Sequence, residues 1–209
     1  MTNPIKLLAI DTSTDACSVA LFLEGTVLEL YELAPRAHTH ILLPLIDRLL
    51  KDADIALADL DAFAFGRGPG SFTGVRIACS VIQALSFGLD KPVVPVSTLR
   101  ALAEQAYREL GVLRVFASLD ARLQAVYWGL FELGAEGIMQ PVSEERVEPL
   151  DQIVLPSGEW HSFTGYPHAQ DIARIAAVEY KLGRAVSAAE AVPVYVRDEV
   201  VKINPNTRS

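Results

Sequence analysis

Short apolar runs at the start of the chain predict a strand meander. Residues 6–11 and 16–23 form two such runs, and residues 26–31 form a third after Glu24-Gly25, a pair typical of hairpin turns. Successive strands with short connections pair antiparallel. The pattern therefore predicts a sheet with an antiparallel edge at this end of the chain.

Two helices follow, and the second is unusually apolar. Apolar residues recur at helical spacing through 41–50, with Thr39 or His40 as the expected N-cap and Pro44 close to the first turn; an earlier start would place a kink at Pro44. Residues 62–65 predict a strand, a glycine-rich loop fills 66–76, and residues 75–89 predict a helix that is apolar nearly all round. A surface helix has a narrower apolar stripe, so part of this helix is expected to be covered by another chain.

The rest of the chain again alternates strands with helices. Strands are predicted at 92–96, 113–120, 125–132, 160–164 and 192–196, helices at 98–110 (capped by Ser97 or Thr98) and 169–182, and irregular structure at 134–156. This alternation predicts an α/β fold. Two strand-led halves are expected, residues 1–100 and residues 101–209, joined near residues 97–102.

Composition and charge narrow the class of protein. The 209 residues carry a net charge of −8 and are 51% hydrophobic. An acidic chain lacks the basic surface that autonomous binding to nucleic acid requires. We expect no secretion signal and no apolar run of membrane-spanning length. Cys17 and Cys79 lie in apolar surroundings and are interpreted as buried free thiols in a reducing compartment, so a cytoplasmic location is expected.

The glycine loop fails three tests for known chemistry. No lysine follows Gly74, which excludes a phosphate-binding P-loop. Pro69 lies two places before Ser71, where a nucleophile elbow needs glycine. Gly68-x-Gly70-x3-Gly74 has one residue too many for a dinucleotide fingerprint, and no acid follows the next strand. The loop is therefore either an anion cradle or a tight packing corner, whose glycines would adopt conformations forbidden to other residues.

Other polar clusters give weaker signals. His38 and His40 are two residues apart, and without a His-Glu-x-x-His or His-x3-His pair they are interpreted as polar residues at a helix entry, not as a zinc site. Asp11, followed by Thr12 and Ser13, either holds a metal-bound phosphate or caps a turn. Further expectations are an ion pair between Asp120 and Arg122, a solvated loop containing Glu144, Glu145 and Glu148, and no functional role for His161 and His168.

Six sequence blocks together resemble one family. They are residues 8–14 with the strand at 17–23, residues 38–44, residues 68–76 (Gly-Pro-Gly-Ser-Phe-Thr-Gly-Val-Arg), residues 96–99, residues 120–122 with 126–127, and residues 193–197. In this order and spacing they resemble the TsaB (YeaZ) family, bacterial subunits of the machinery that makes tRNA threonylcarbamoyladenosine (t6A). The resemblance covers about residues 5–200.

The resemblance implies a fold, a role and a set of partners. The fold is the two-lobed actin-like (ASKHA, ribonuclease H-like) fold, with a mixed sheet flanked by helices in each lobe. The role is that of a non-catalytic subunit needed for t6A modification of adenosine 37. In that family a separate paralogue, TsaD, binds metal through a His-x3-His pair and carries out the transfer, and a small ATPase, TsaE, joins the complex. ATP or ADP and a divalent metal are expected in the partner or at the joint interface, and tRNA is expected to bind through the complex.

This chain's residues fit the accessory role, and no catalytic or metal-binding residue is assigned. An actin-like phosphate loop offers Asp-x-Gly after the first strand, whereas this chain has Asp11-Thr12-Ser13, a vestigial phosphate loop. The residues expected to bind the partner, or the same surface of a second copy, are His40, Leu42, Leu45, Ile46, Leu49, Gly74, Val75, Ala78, Val81, Ile82 and Leu85. The motif loop, interpreted as a packing corner, comprises Gly68, Pro69, Gly70, Ser71, Phe72, Thr73 and Arg76.

Two alternatives and one departure from the family stay open at this point. The alternatives are an independent actin-like ATPase or peptidase, and a homodimer that binds a dinucleotide. The departure is the short segment 198–209, which contains Pro205 where the family often has a closing C-terminal helix.

Overall fold

The computed structural model describes residues 5–196, which form two mixed sheets and four α-helices. The first sheet contains β1 (Lys6–Asp11), β2 (Ala16–Leu23), β3 (Thr26–Leu33), β4 (Ala62–Gly66) and β5 (Val93–Val96), in the order β3-β2-β1-β4-β5. The first three strands pair antiparallel, whereas β4 pairs parallel with β1 and with β5. The predicted meander and its antiparallel edge are confirmed.

Helices cover both faces of the first sheet. α1 (His38–Asp52) and α2 (Phe72–Leu89) pack on one face, where Leu8 and Ile10 of β1 point. α4 (Ala169–Lys181) packs on the other face, against Leu7 and Ala9. Both sets of side chains are fully buried because successive residues of a strand point to opposite faces.

The second sheet has a helix on one face and a long connection on the other. It contains β6 (Arg114–Arg122), β7 (Ala125–Leu133), β8 (Met139–Pro141), β9 (Arg146–Pro149) and β10 (His161–Thr164), in the order β10-β6-β7-β8, with β9 also pairing with β7. α3 (Thr98–Leu110) covers one face through Leu99, Leu102 and Ala106. Ile153 and Trp160 of the connection contact the opposite face.

Four predicted elements are corrected by the structure. α1 begins at His38 after Ala37, not after Thr39 or His40, so Pro44 lies inside the helix. α2 begins at Phe72. Residues 134–156 contain β8 and β9 and are not wholly irregular. Residues 192–196 form no strand: Pro193 has no N–H to donate, and the Val194 N–H bonds to the Arg67 carbonyl oxygen, 2.8 Å away.

Contacts between the two halves of the chain are extensive. α4 comes from the second half but packs on the first sheet. It also binds α3 through two ion pairs, Arg108–Asp171 and Arg100–Glu179, each 2.8 Å long. A lobe boundary at residue 100 stays a prediction. The segment 198–209 lies outside the described residues.

Candidate functional site

The glycine loop packs directly on the turn that follows β1. The Ser71 N–H donates to the Ser13 carbonyl oxygen over 2.7 Å, and the Thr12 hydroxyl donates to the Gly74 carbonyl oxygen over 2.6 Å. A Cβ at Gly66 would overlap the Asp11 carboxylate, and one at Gly74 would overlap the Thr12 carbonyl oxygen. The loop is thus a tight packing corner that occupies the space above residues 11–13.

The physical reason for the glycines differs from the sequence-based expectation. Gly68 alone among the glycines of residues 66–76 has a positive φ, of 101°. At Gly70 the backbone is ordinary, but a Cβ would lie 2.5 Å from the Ser13 carbonyl oxygen. Close approach of two backbone segments, and not conformational freedom, therefore excludes larger residues at Gly66, Gly70 and Gly74.

Asp11 is enclosed beneath this corner. One carboxylate oxygen accepts hydrogen bonds from the Ser13 N–H (2.9 Å) and the Ser13 hydroxyl (2.8 Å), which form a turn cap. The other has no hydrogen-bond partner among the described residues. Burial raises the pKa of Asp11 to about 7, although the two Ser13 bonds and nearby His168 lower it. The carboxyl group is therefore an ionisable group that loses its hydration on folding.

The pKa of Asp11 predicts how stability varies with pH. A carboxyl pKa raised on folding gives stability that is fully present below the unfolded value, 3.8, and is lost as the pH rises through the folded value, about 7. Asp11→Asn keeps an oxygen for Ser13 but cannot ionise. The unfolding free energy of Asp11→Asn minus that of the unmodified chain should rise between pH 4 and pH 8, by up to about 4 kcal/mol.

Urea unfolding at each pH measures this difference, and Ser143→Ala is the matched control. Ser143 also donates and accepts hydrogen bonds in a turn, but it is remote from Asp11. The unfolding free energy of Ser143→Ala should differ from that of the unmodified chain by the same amount at every pH. A constant difference for Asp11→Asn would contradict the assigned pKa.

A polar cluster at the start of α4 was missed by sequence reasoning. His168 stacks on Tyr31, with ring centroids 4.3 Å apart, and its Nδ1 lies 2.9 Å from a Glu29 carboxylate oxygen. That hydrogen bond is the main reason why the pKa of His168 is raised. Glu29 also accepts hydrogen bonds from Gln170. Residues about 140 apart in sequence form this cluster, so no local pattern could have indicated it.

Most of the predicted partner-binding residues are enclosed in the chain's own core, which corrects that assignment. Eight of the eleven are buried: Leu42, Leu45, Ile46, Leu49, Gly74, Val75, Ala78 and Ile82. Their side of each helix faces the first sheet. Val81 and Leu85 are half-buried against the same core, and only His40 is exposed. The buried residues can support a binding surface from beneath but cannot touch a partner.

The opposite side of α2 remains accessible. Ser80, Ala84 and Phe87 are exposed at helical spacing along it, and Phe87 is 84% exposed, whereas Ile77 is half-buried against the core of the first sheet. On α1, Leu43 is 55% exposed beside Pro44 and three residues after exposed His40. α2 therefore has one exposed side, which we call the α2 outer face (Ser80, Ala84 and Phe87).

The motif-loop residues divide between the packing corner and the surface. Gly68, Pro69 and Gly70 lie in the corner, and the Ser71 hydroxyl caps α2 by accepting from the Gly74 N–H over 3.3 Å. Phe72, Thr73 and Arg76 are exposed on the first turns of α2. A wider cleft of about 960 Å³ lies at the far end of the second sheet, and none of the predicted site residues lines it.

The remaining candidate residues have structural roles. Cys17 and Cys79 are buried free thiols, as predicted, and burial raises the pKa of Cys17 to about 12. His38 is buried at the start of α1 with its Nε2 3.1 Å from the Ala16 carbonyl oxygen. No three His, Cys, Asp or Glu side chains within residues 5–196 are grouped to hold a metal ion.

Two expectations about charged residues are wrong. Asp120 accepts a hydrogen bond from the Arg122 backbone N–H, 2.7 Å away, and the two side chains form no ion pair. Glu145 and Glu148 do not lie in a solvated loop. Glu145 is partly buried, accepts a hydrogen bond from the Ser97 hydroxyl, and burial raises its pKa, while Glu148 is half-buried in β9.

The expectation about membrane-spanning length also needs correction. α2 is long and apolar enough to cross a membrane by length and composition, with a mean hydropathy of 1.4 over 18 residues. One such helix is weak evidence, because core helices pass the same test. One side of α2 packs in the core of the first sheet.

Comparison with known proteins gives a consistent result. The family model described as "TsaD: tRNA N6-adenosine threonylcarbamoyltransferase" matches residues 30–195. The chain is 38% identical to the tRNA threonylcarbamoyladenosine biosynthesis protein TsaB of Escherichia coli, covering 94% of this chain and 96% of that protein. The Haemophilus influenzae protein of the same name is 37% identical, over 94% of this chain and 95% of that protein.

A solved structure agrees with the sequence relatives. YeaZ from Pseudomonas aeruginosa superposes with a TM-score of 0.88 at 43% identity, covering 91% of this chain and 99% of that chain. The predicted two-lobed actin-like fold, with a mixed sheet flanked by helices in each lobe, is confirmed. High coverage by sequence and by structure shows that the chain belongs to the TsaB (YeaZ) family.

Proposed function

We propose that this chain takes part in t6A biosynthesis as an accessory subunit that binds and activates a TsaD-like catalytic paralogue. The names of its relatives, tRNA threonylcarbamoyladenosine biosynthesis proteins, support a role in this pathway. The observation that carries the accessory role is the α2 outer face, where Ala84 and Phe87 are exposed on a helix whose other side is anchored in the core. Exposed apolar surface on a rigid element is typical of a protein interface.

The packed glycine corner supports placing the reaction in the partner. In an actin-like protein, nucleotide phosphates lie at the turn after the first strand. Here the backbone of Gly70 and Gly74 lies against Ser13 and Thr12 in that place. We therefore propose that ATP or ADP and the divalent metal are held by the catalytic paralogue or at the joint interface.

Charge and fold suggest how the other partners join. A net charge of −8 favours recruitment of tRNA through the complex and not by this chain alone. The chain matches the TsaD model, so the two subunits are related, and a pseudo-twofold pairing through the same face of each is a natural arrangement. In the absence of that partner, a second copy can cover the same face. A TsaE-like ATPase would complete the assembly in the cytoplasm.

Reconstitution tests this function directly. The catalytic paralogue from the same organism is purified with and without this chain, and t6A in the tRNA product is measured by mass spectrometry. We expect a stable complex on gel filtration and modification only when both chains are present. Full modification by the paralogue alone would contradict the accessory role. Turnover of ATP or peptide by this chain alone would favour an independent enzyme.

A further inference from the structure

A small pocket lined by aliphatic and aromatic side chains lies at the start of α2, next to the α2 outer face. Its volume is about 130 Å³. The pocket is lined by Pro69, Gly70, Phe72, Val75, Tyr127, Val194, Tyr195 and Val196. These residues come from the glycine loop, α2, β7 and the segment after α4, so the fold assembles the pocket from four separate parts of the chain. Its lining side chains are aliphatic or aromatic.

Arg76 stands at the rim of this pocket and is held in place by aromatic rings. Its guanidinium carbon lies 3.2 Å from the centroid of the Phe72 ring and 5.2 Å from that of the Tyr195 ring. Phe72 is 58% exposed and Tyr195 is 44% exposed. Within residues 5–196, no carboxylate lies within ion-pair distance of Arg76. A stacked guanidinium loses less side-chain entropy when it binds, because its orientation is already restricted.

We infer that this pocket is the anchor point of the subunit interface: it receives one apolar side chain of the catalytic partner, and Arg76 pairs with a partner carboxylate beside it. The inference rests on the proposed function and names the chemistry of the partner surface. The volume suits a single side chain. Aromatic residues and arginine around a small apolar pocket are the composition of interface positions that contribute most to binding.

The position of the pocket supports a protein partner over RNA. Arg76 lies one helical turn before Ser80 of the α2 outer face, so one partner surface can cover this face and the pocket together. A single arginine on a chain of net charge −8 gives little attraction for a polyphosphate backbone. A single carboxylate beside an apolar side chain matches both the charge and the size of the site.

Binding of the full chain to its TsaD-like paralogue, measured by isothermal titration calorimetry, tests the inference. Phe72→Ala and Arg76→Glu should each raise Kd about tenfold or more. Arg76→Lys should have an intermediate effect, because it keeps the charge and loses the planar stack. Leu123→Ala is the matched control, because Leu123 is 97% exposed at the β6–β7 turn. The Kd of this variant for the paralogue should differ from that of the unmodified chain by less than twofold. Thermal melting of each variant confirms that it is folded.

The outcomes separate the two proposals. If the unmodified chain does not bind the paralogue, the proposed function and this inference are both wrong. If it binds, and the Phe72 and Arg76 variants bind as tightly as the unmodified chain, only the inference is wrong. If these variants leave the subunit Kd unchanged but weaken tRNA binding by the assembled complex, the pocket is a base-stacking site, which also overturns the inference. A photo-crosslinking amino acid in place of Tyr195 should become linked to the paralogue.

Discussion

Replacing Ala84 with glutamate is expected to weaken binding to the TsaD-like paralogue by roughly 100-fold while leaving this chain folded. Ala84 is exposed in the middle of the α2 outer face, between Ser80 and Phe87. A carboxylate buried there without a partner costs about 3 kcal/mol. That free energy corresponds to roughly 100-fold in Kd. Calorimetric titration of the two purified subunits measures the change.

A control variant separates a local effect from a general effect of charge. Ala135→Glu adds the same charge at an exposed alanine in the turn between β7 and β8. It should bind as tightly as the unmodified chain. Equal binding by Ala84→Glu would show that the α2 outer face is not the interface. Ala84 is a sharper test than Val81 or Leu85, because those two pack against the chain's own core and a charge there would also disturb folding.

Replacing Gly74 with alanine is expected to destabilise the fold by about 3 kcal/mol, the upper part of the range for overpacking. The added methyl group would overlap the carbonyl oxygen of Thr12. Neither side can yield easily, since the Thr12 hydroxyl donates to the Gly74 carbonyl oxygen and the Gly74 N–H donates to the Ser71 side chain. Urea unfolding followed by circular dichroism measures the loss.

The other glycine of α2 provides a matched control. A Cβ at Gly88 would meet nothing within 4 Å, and Gly88 lies on the last turn of the same helix. Gly88→Ala should therefore stabilise the chain by about 0.5–1 kcal/mol, because alanine is the better helix former. Opposite signs for Gly74 and Gly88 would establish that packing, and not helix propensity, keeps Gly74. Similar small effects at both positions would contradict the packing corner.

The sequence predicted most of the elements because their signals are local. β1 and β2 have the predicted bounds, and α3 begins after Ser97 and ends at Leu110, just before Gly111, as the cap residues indicated. The sequence did not predict correctly the short elements whose formation depends on tertiary contacts. β8 and β9 are three and four residues long and form only because β7 offers an edge to pair with. The predicted strand at 192–196 did not form, since its proline cannot donate to a neighbouring strand.

For the site, the sequence predicted partner-binding residues of which the structure buries most, and α2 as the binding helix stays a prediction. A helix that is apolar nearly all round indicates two buried sides, but periodicity does not show which side faces the chain's own sheet. The sequence shows all of these positions simply as apolar. Yet Ile82 lies in the core, as do Leu42 and Leu45 of α1, whereas Ala84 and Phe87 are exposed.

The sequence by itself determined the α/β class and the family resemblance, because both rest on local patterns of residues, and it predicted a packing corner at the glycine loop. Only the tertiary structure decided which face of α2 is free, that Gly74 is kept by the Thr12 carbonyl oxygen, and that Tyr127 and Tyr195 meet at one pocket. The last two features depend on contacts between residues more than 60 positions apart. Such contacts are set by the packing of whole elements, and no local pattern records them.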